Sequence, residues 1–221
     1  MMHLSVIIPV FNGAAYLAQA IESVLRQTRQ PDEILVIDDG SADESVDIAR
    51  GYKDRVRLVS QDNRGPANAR NRGVAQAQGG VLAFLDADDL WLPEKLEHQL
   101  VALRQSEMAF CMIEKFFSDD CPSEMRSTAV DVSDPKAGYL PTTFVCRSDL
   151  FKTVGPFDEK LKGGEFIDWV ARARACGQTE TLLPRLLARR RIHAGNLSRE
   201  NGMMQEYLQV IRRNLARRNK P

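Results

Sequence analysis

The chain has 221 residues, of which 43% are hydrophobic and 27% charged, and its thirty Lys and Arg balance thirty Asp and Glu. These values are typical of a globular domain, and zero net charge gives no reason to expect a nucleic-acid partner. The longest apolar runs are too short to cross a bilayer. The four cysteines lack the spacing of zinc or redox motifs, which predicts reduced thiols and a cytoplasmic protein.

The first half of the chain alternates apolar strands with amphipathic helices. Short runs rich in branched side chains predict buried strands at 4–10, 33–37, 56–59 and 81–85, with helices between them. Asn12 is predicted to cap the first helix. Strands that alternate with helices form right-handed crossovers. We therefore expect an α/β fold with a mostly parallel central sheet flanked by helices.

Carboxylates directly follow two of these strands. Asp38 and Asp39 come after the second strand, and Asp86, Asp88 and Asp89 come after the fourth. Because ligands bind beyond the carboxyl ends of parallel strands, these acids should converge at one edge of the sheet. The acidic cleft that results is a further reason not to expect a nucleic-acid partner.

The segment LDADD at 85–89 predicts a metal site. Carboxylates crowded on one tight turn repel each other unless a cation lies among them. Divalent cations such as Mn2+ or Mg2+ take oxygen ligands and share them with substrate phosphates. The alternative is an acidic turn that only caps the next helix. The buried strand before the segment and the second acidic turn favour a site for a metal and a diphosphate.

The second half of the chain is less regular. Its predicted elements are helices at 94–103, 150–155, 164–176 and 203–218, a strand at 142–147 and a loop at 118–138. From 185 to 221 there are ten Lys or Arg against two Glu, so the last helix is basic and amphipathic. It could make peripheral contact with the anionic inner face of a membrane, or pack on its own domain or a dimer partner.

Four motifs occur in the order SVIIPVFN, ILVIDDGSADES, NRGPANARNRG and FLDADDLW, over about residues 4–100. As a set they resemble the family 2 glycosyltransferases, and so do the later GYLPTTFVCRSDLFKTVGPFDEKLKGGEFIDW and RRRIHAGNLS. The resemblance implies a GT-A type nucleotide-binding fold. It also implies a metal-dependent, inverting transfer of a hexosyl-type sugar from a nucleotide-diphosphate donor, UDP being favoured. The acceptor stays open among a glycan, a lipid-linked molecule and a peptide.

The resemblance also implies which residues form the site. Donor contacts are implied for Pro9, Phe11, Asn12, Asp39, Arg70, Asp86, Ala87 and Asp88. Asp39 would bind the pyrimidine base, Arg70 the base or the phosphates, and Asp86 the ribose or donor sugar. Asp88 would be the principal ligand of Mn2+ or Mg2+, and His193 would complete the metal shell. A lone histidine could equally have a structural role, and a lone arginine could lie on a solvated helix face.

The catalytic base is where the sequence departs from the family pattern. Inverting transfer needs a carboxylate that takes the proton of the acceptor hydroxyl. Many relatives place it as the Asp of a Glu-Asp pair at the start of the late helix, whereas here Glu165 is followed by Phe166. Glu165 and Asp168 are three residues apart and should share a helix face, so both are candidates, with Asp168 slightly preferred.

These expectations divide the chain into a donor-binding half at 1–105, an acceptor and catalytic half of the same domain at 106–200, and the basic helix at 201–221. Two rival functions are weighed. A sugar-phosphate nucleotidyltransferase would need basic residues after the first strand, and the turn FNGAAY has none. A degenerate module that binds nucleotide sugar without turnover is the alternative that Phe166 suggests.

Overall fold

A computed structural model describes residues 3–127, 134–161, 163–196, 210 and 212. The basic helix predicted at 201–221, and the membrane contact suggested for it, therefore lie outside the described residues except at two positions. Within the described part of the chain, no helix has the length and apolarity that a bilayer span requires.

The described residues contain one mixed sheet. Its strands are β1 (Leu4–Val10), β2 (Glu33–Asp38), β3 (Arg57–Ser60), β4 (Val81–Phe84), β5 (Leu90–Trp91), β6 (Met108–Phe117), β7 (Lys136–Gly138), β8 (Val145–Arg147) and β9 (Glu180–Ile192). Their order is β3-β2-β1-β4-β8-β6-β9-β5, and β7 pairs with β6. The first four strands pair in parallel, as the alternating pattern predicts. β8 then pairs antiparallel with β4 and β6, and β9 runs parallel to β6.

Helices cover both faces of this sheet. They are α1 (Ala14–Leu25), α2 (Ser45–Gly51), α3 (Pro66–Gln76), α4 (Lys95–Ala102), α5 (Ser123–Ser127), α6 (Leu150–Val154) and α7 (Glu165–Ala175). Alternate residues of β1 enter two separate cores, because successive side chains of a strand point to opposite faces. The first core contains residues of α1, α2 and α4, and the second contains residues of α3, α6 and α7.

The first helix is not capped by Asn12, which corrects the sequence-based prediction. α1 begins at Ala14 after Gly13, and the amide of Ala14 donates to the Asp43 carboxylate at 2.8 Å rather than to Asn12. Asn12 has a left-handed backbone with φ 50°, a conformation that asparagine tolerates better than most residues. Its side chain accepts a hydrogen bond from the amide of Ala42 at 2.8 Å, and its own amide donates to Ser41 at 2.9 Å. Asn12 thus ties the turn after β1 to the turn after β2.

Two further segments differ from their predictions. The segment predicted as a loop at 118–138 contains the short helix α5 and the strand β7 in its described part. The predicted strand at 142–147 begins instead as a 3-10 turn, Pro141–Thr143, before β8. That turn is important for the site because it brings Thr142 against the acidic residues after β4.

Candidate active site

The acidic turn after β4 is held by hydrogen bonds from both halves of the chain. The amide of Asp89 donates to the carbonyl of Asp86 at 3.0 Å, which closes the turn. The amide of Asp86 donates to the hydroxyl of Thr142 at 3.3 Å. The turn therefore has a defined shape, and its three carboxylates point into different surroundings.

Asp89 is the buried member of this turn. It is 4% exposed, and its carboxylate accepts the Thr142 hydroxyl at 2.6 Å and the backbone amide of Arg191 at 3.0 Å. Burial, and then the nearby charges of Asp88 and Asp86, raise the pKa of Asp89 well above its usual range. Asp89 thus joins the turn to the 3-10 turn and to β9, and it faces away from solvent.

Asp88 and His193 meet across 105 residues of sequence. The His193 Nε2 lies 3.0 Å from the Asp88 Oδ2, and the side-chain amide of Asn196 donates to the same oxygen at 3.1 Å. The Asp88 side chain is 32% exposed and that of His193 is 14% exposed. The pair is therefore accessible from solvent, and its nitrogen and oxygen atoms lie within hydrogen-bond distance of each other.

This pair fits a divalent cation that shares its coordination shell with a substrate. Neighbouring ligands of an octahedral Mg2+, each at about 2.1 Å, stand about 3 Å apart, close to the separation of the two donor atoms. No group of three or more His, Cys, Asp or Glu side chains forms a complete metal cage in the described residues. Two protein ligands suit Mg2+ or Mn2+ when diphosphate oxygens and waters supply the remainder.

Asp39 directly follows β2, which is separated from β4 by β1 in the sheet, and it contacts the loop that precedes α3. It is 3% exposed and accepts hydrogen bonds from the Gln61 side chain at 2.7 Å and from the amides of Arg64 and Gly65 at 2.9 and 2.8 Å. A carboxylate has about four acceptor positions. The three bonds fix this carboxylate and leave one position for a ligand donor.

The other residues predicted to contact the donor surround this strand end. The Asp39 amide donates to the carbonyl of Val10 at 2.8 Å, so Asp39 lies beside the end of β1 that carries Pro9 and Phe11. Phe11 is 51% exposed, which is unusual for phenylalanine and leaves its ring available for stacking. Ala87 lies close to Gly13, at the start of α1. The structure thus brings these residues to one edge of the sheet.

Arg70 lies between two carboxylates. One terminal nitrogen is 2.5 Å from Glu165 and the other is 2.6 Å from Asp86. Burial alone would lower the pKa of Arg70, but the charges of Asp86 and Glu165 outweigh it and raise that pKa. The Nε of Arg70 is buried and has no hydrogen-bond partner among the described residues. The guanidinium is therefore charged and connects α7 to the acidic turn.

The two candidate bases have different partners. Glu165 contacts Arg70, as described above, and is 7% exposed. Asp168 is 1% exposed and lies 2.8 Å from the Nε of Arg172, whose other nitrogens donate to the carbonyls of Val154 and Pro156. Phe166, at the position where many relatives have Asp, is buried in an aromatic cluster with Phe144. Of the two acids, Glu165 is the one connected to the acidic turn.

Sequence reasoning missed three residues of this site: Thr142, Arg191 and Asn196. Thr142 lies in GYLPTTFV and Asn196 in RRRIHAGNLS, segments that resemble the family, but no spacing within them assigns a role to either residue. Arg191 belongs to the run RRRIHAGN, which reads as part of a basic tail. Its position two residues before His193 is the one signal that could have identified it.

Comparison with known proteins gives a consistent result. Residues 5–153 match the family model described as Glycosyl transferase family 2. An uncharacterized glycosyltransferase of Rickettsia prowazekii is 37% identical over 172 residues, which cover 72% of this chain and 54% of that protein. An uncharacterized glycosyltransferase of Haemophilus influenzae is 43% identical over 122 residues, covering 50% of this chain and 49% of that protein. The chain thus spans about half the length of these relatives.

Solved structures confirm the fold. The crystal structure of S. aureus TarS 1-349 in complex with UDP-GlcNAc has a TM-score of 0.76 and 22% sequence identity, and the match covers 97% of this chain and 66% of that one. The complex of the same protein with UDP has a TM-score of 0.73 and 20% identity, with 100% and 67% coverage. The predicted α/β, GT-A type nucleotide-binding fold is confirmed.

Proposed function

Because the chain belongs to glycosyltransferase family 2, we propose that it transfers a sugar from a UDP-sugar to an acceptor hydroxyl, with inversion and with a requirement for a divalent cation. The observation that carries this proposal is the contact between Asp88 and His193. It joins side chains of two kinds that bind divalent cations, from distant parts of the sequence, near the carboxyl end of β4, and parallel strands bind nucleotides beyond such ends.

Asp39 and Phe11 are proposed to bind the uracil base. The acceptor position left on the Asp39 carboxylate can take an N–H of the base, and the exposed Phe11 ring beside it offers a stacking surface. The solved complexes of TarS with UDP-GlcNAc and UDP support this choice of donor, because they show that the same fold holds these ligands.

Asp88 and His193 are proposed to hold the cation, Mn2+ or Mg2+, together with the donor diphosphate. The chemistry that a divalent cation supplies at such a site is to offset negative charge on the departing nucleoside diphosphate. Asp86, next to the guanidinium of Arg70, is proposed to face the ribose or the donor sugar. Asp89 contributes by holding the turn, since it is buried.

Glu165 is proposed as the base that accepts the proton of the acceptor hydroxyl. Arg70 bridges Glu165 and Asp86, so this carboxylate is fixed relative to the donor-binding turn. Asp168 is proposed to have a structural role, because its contact with Arg172 anchors the connection between α6 and α7. Both acids are buried, which limits their access to an acceptor hydroxyl. This burial supports the alternative, a module that binds nucleotide sugar without turnover.

The test is a thermal-shift panel of UDP-, dTDP- and GDP-sugars with and without Mn2+, followed by measurement of nucleoside diphosphate release. We expect Mn2+-dependent stabilisation by a UDP-sugar and slow release of UDP. Asp88→Ala should abolish both. Glu165→Gln should retain donor binding and lower release at least about a hundredfold, the usual contribution of a general base.

Asp168→Asn is the matched control for the proposed base. It should lower thermal stability and leave the release rate per folded molecule close to that of the wild type. Donor binding without release by the wild type, across a panel of sugar, lipid-linked and peptide acceptors, would favour the module without turnover. The absence of stabilisation by every donor would overturn the proposed function.

A further inference from the structure

We propose that Arg191 is a positioning residue that holds the acidic turn in the conformation that binds the divalent cation. The inference rests on the proposed function, since it concerns the same metal site. Among the described residues, Arg191 makes no hydrogen bond to the side chain of a proposed metal ligand or of a residue proposed to bind the donor. Its role follows from its contact with the backbone of the turn.

Arg191 donates three hydrogen bonds at the site. Its backbone amide donates to the Asp89 carboxylate at 3.0 Å, and its Nε donates to the main-chain carbonyl of Asp88 at 2.9 Å. A terminal nitrogen donates to the Gln19 side chain of α1 at 2.7 Å. The carbonyl contact fixes the peptide group of the residue whose side chain is the proposed metal ligand.

The Arg191 guanidinium is itself held in place by two aromatic rings. It lies 4.6 Å from the ring of Tyr16 and 4.7 Å from the ring of Phe116. Tyr16 is anchored in turn, since its hydroxyl donates to the Asp120 carboxylate at 2.8 Å, and its ring lies 4.6 Å from that of His193. Arg191 is only 5% exposed. A planar guanidinium that stacks and donates in fixed directions gives a rigid support that a flexible ammonium does not.

One β-strand therefore orients both proposed metal ligands. Arg191 lies near the end of β9, where the strand pairs with β6, and His193 follows directly after the last paired residue, Ile192. The strand contacts the backbone of Asp88 through Arg191, and His193 is the first residue after the strand. The relative position of Asp88 and His193 then depends on Arg191 rather than on the turn alone.

A purely electrostatic role and a positioning role for Arg191 predict opposite effects on cation binding. A positive charge near a cation site weakens cation binding, so removal of that charge would tighten binding if charge were all that mattered. A positioning role predicts weaker binding for any substitution that breaks the carbonyl contact, whether or not the positive charge is kept. Loss of residues that orient metal ligands typically costs 10- to 100-fold in metal affinity.

The experiment titrates Mn2+ into the UDP-bound protein and follows binding by electron paramagnetic resonance. We expect both Arg191→Lys, which keeps the charge, and Arg191→Met, which removes it, to raise the Mn2+ dissociation constant about tenfold or more. UDP release should recover toward the wild-type rate at saturating Mn2+. Gln19→Met, a milder change at the surface, should shift the constant in the same direction by a smaller factor.

The control is Arg189, two residues earlier on the same strand. Its guanidinium also lies over Phe116, at 4.4 Å, but it forms an ion pair with Glu114 at 2.6 Å rather than with the acidic turn. Arg189→Lys and Arg189→Met should lower thermal stability about as much as the Arg191 variants do. They should leave the Mn2+ dissociation constant unchanged. An unchanged constant in Arg191→Lys, or tighter binding in Arg191→Met, would overturn the inference while the proposed function stood. Absence of Mn2+ binding by the UDP-bound wild type would overturn both.

Discussion

Lys95 is a fully buried lysine in the first core, on the first turn of α4. Its Nζ donates to the Gln99 side chain at 2.6 Å and lies 4.0 Å over the Trp91 ring. Burial lowers the pKa of Lys95 from 10.5 to about 7, because removal of the ammonium from water disfavours the charged form. Neither Gln99 nor the indole ring supplies a compensating negative charge.

The pH dependence of stability should therefore carry a contribution from Lys95. Between about pH 7 and 10.5 the folded state has released this proton and the unfolded state has not. Stability then rises with pH, by at most about 1.4 kcal/mol per pH unit for one proton. Urea unfolding at several pH values should show this rise in the wild type, and Lys95→Met should flatten it. Equal slopes for the two proteins would show that Lys95 titrates normally.

Residue patterns predicted some parts of the site and not others. Acids after apolar strands indicated Asp39 and Asp88 because their place in the chain fixes their place in the sheet. The contacts of Arg70 with Glu165 and Asp86 could not be read in this way, since they depend on how α7 packs against α3. The role of Arg191 could not be predicted either, because a run of charged residues does not indicate which of its residues is buried.

At the scale of elements, α3 approaches β1 closely at Gly73. A Cβ on Gly73 would lie 2.4 Å from the Cγ2 of Ile7, a fully buried residue of β1. α3 carries Arg70 one turn earlier, so the close approach also sets the position of that guanidinium. Only a residue without a side chain allows this distance between helix and strand.

Gly73→Ala should therefore destabilise the protein. Overpacking a tight contact costs about 1–3 kcal/mol, which exceeds the gain of about 1 kcal/mol or less from the better helix propensity of alanine. Urea unfolding should show the loss. The control is Gly51→Ala at the end of α2, where a Cβ meets nothing within 4 Å and φ is not positive. That substitution should leave stability unchanged or raise it slightly, and equal effects at the two positions would contradict the packing argument.

The elements themselves were predictable to different degrees. β1, β2 and β4 are continuous apolar runs, and the structure has strands there. β6 and β9 are the longest strands of the described residues, yet neither follows from the residue patterns. Charged residues interrupt both, with Glu114 and Lys115 in β6 and a run of three arginines in β9. Both strands still bury apolar residues in the first core, among them Ile113 and Ala188. At the charged end of the pair, the side chains of Phe116 and Glu114 contact Arg189.

At the scale of the whole molecule, the sheet joins the two predicted halves of the chain. β4 of the proposed donor-binding half pairs with β8 of the proposed acceptor half, and β5 pairs with β9. The second core combines Ile7 and Phe84 with Phe110, Phe144 and Phe166. Each half needs the other to bury its residues of this core. We therefore propose that the two halves have different functions but fold as one cooperative unit.

The two tryptophans provide a test of this cooperativity, because each belongs to a different half. Trp91 is 3% exposed in the first core and donates to the Thr142 carbonyl at 2.7 Å, and Trp169 is fully buried in the second core. Trp91→Phe and Trp169→Phe each leave one tryptophan, whose fluorescence reports the unfolding of its own half. In each variant we expect urea unfolding followed by fluorescence to coincide with unfolding followed by far-ultraviolet circular dichroism.

The comparison is made within each variant, so the stability that each substitution costs does not affect the conclusion. If the halves unfolded separately, Trp91 would report one midpoint and Trp169 another, and neither would match the circular dichroism signal, which averages over both. A midpoint difference larger than experimental error would therefore show that the two halves do not unfold as one unit. Coincident midpoints would mean that a destabilising change near Glu165 also weakens the acidic turn through the shared sheet.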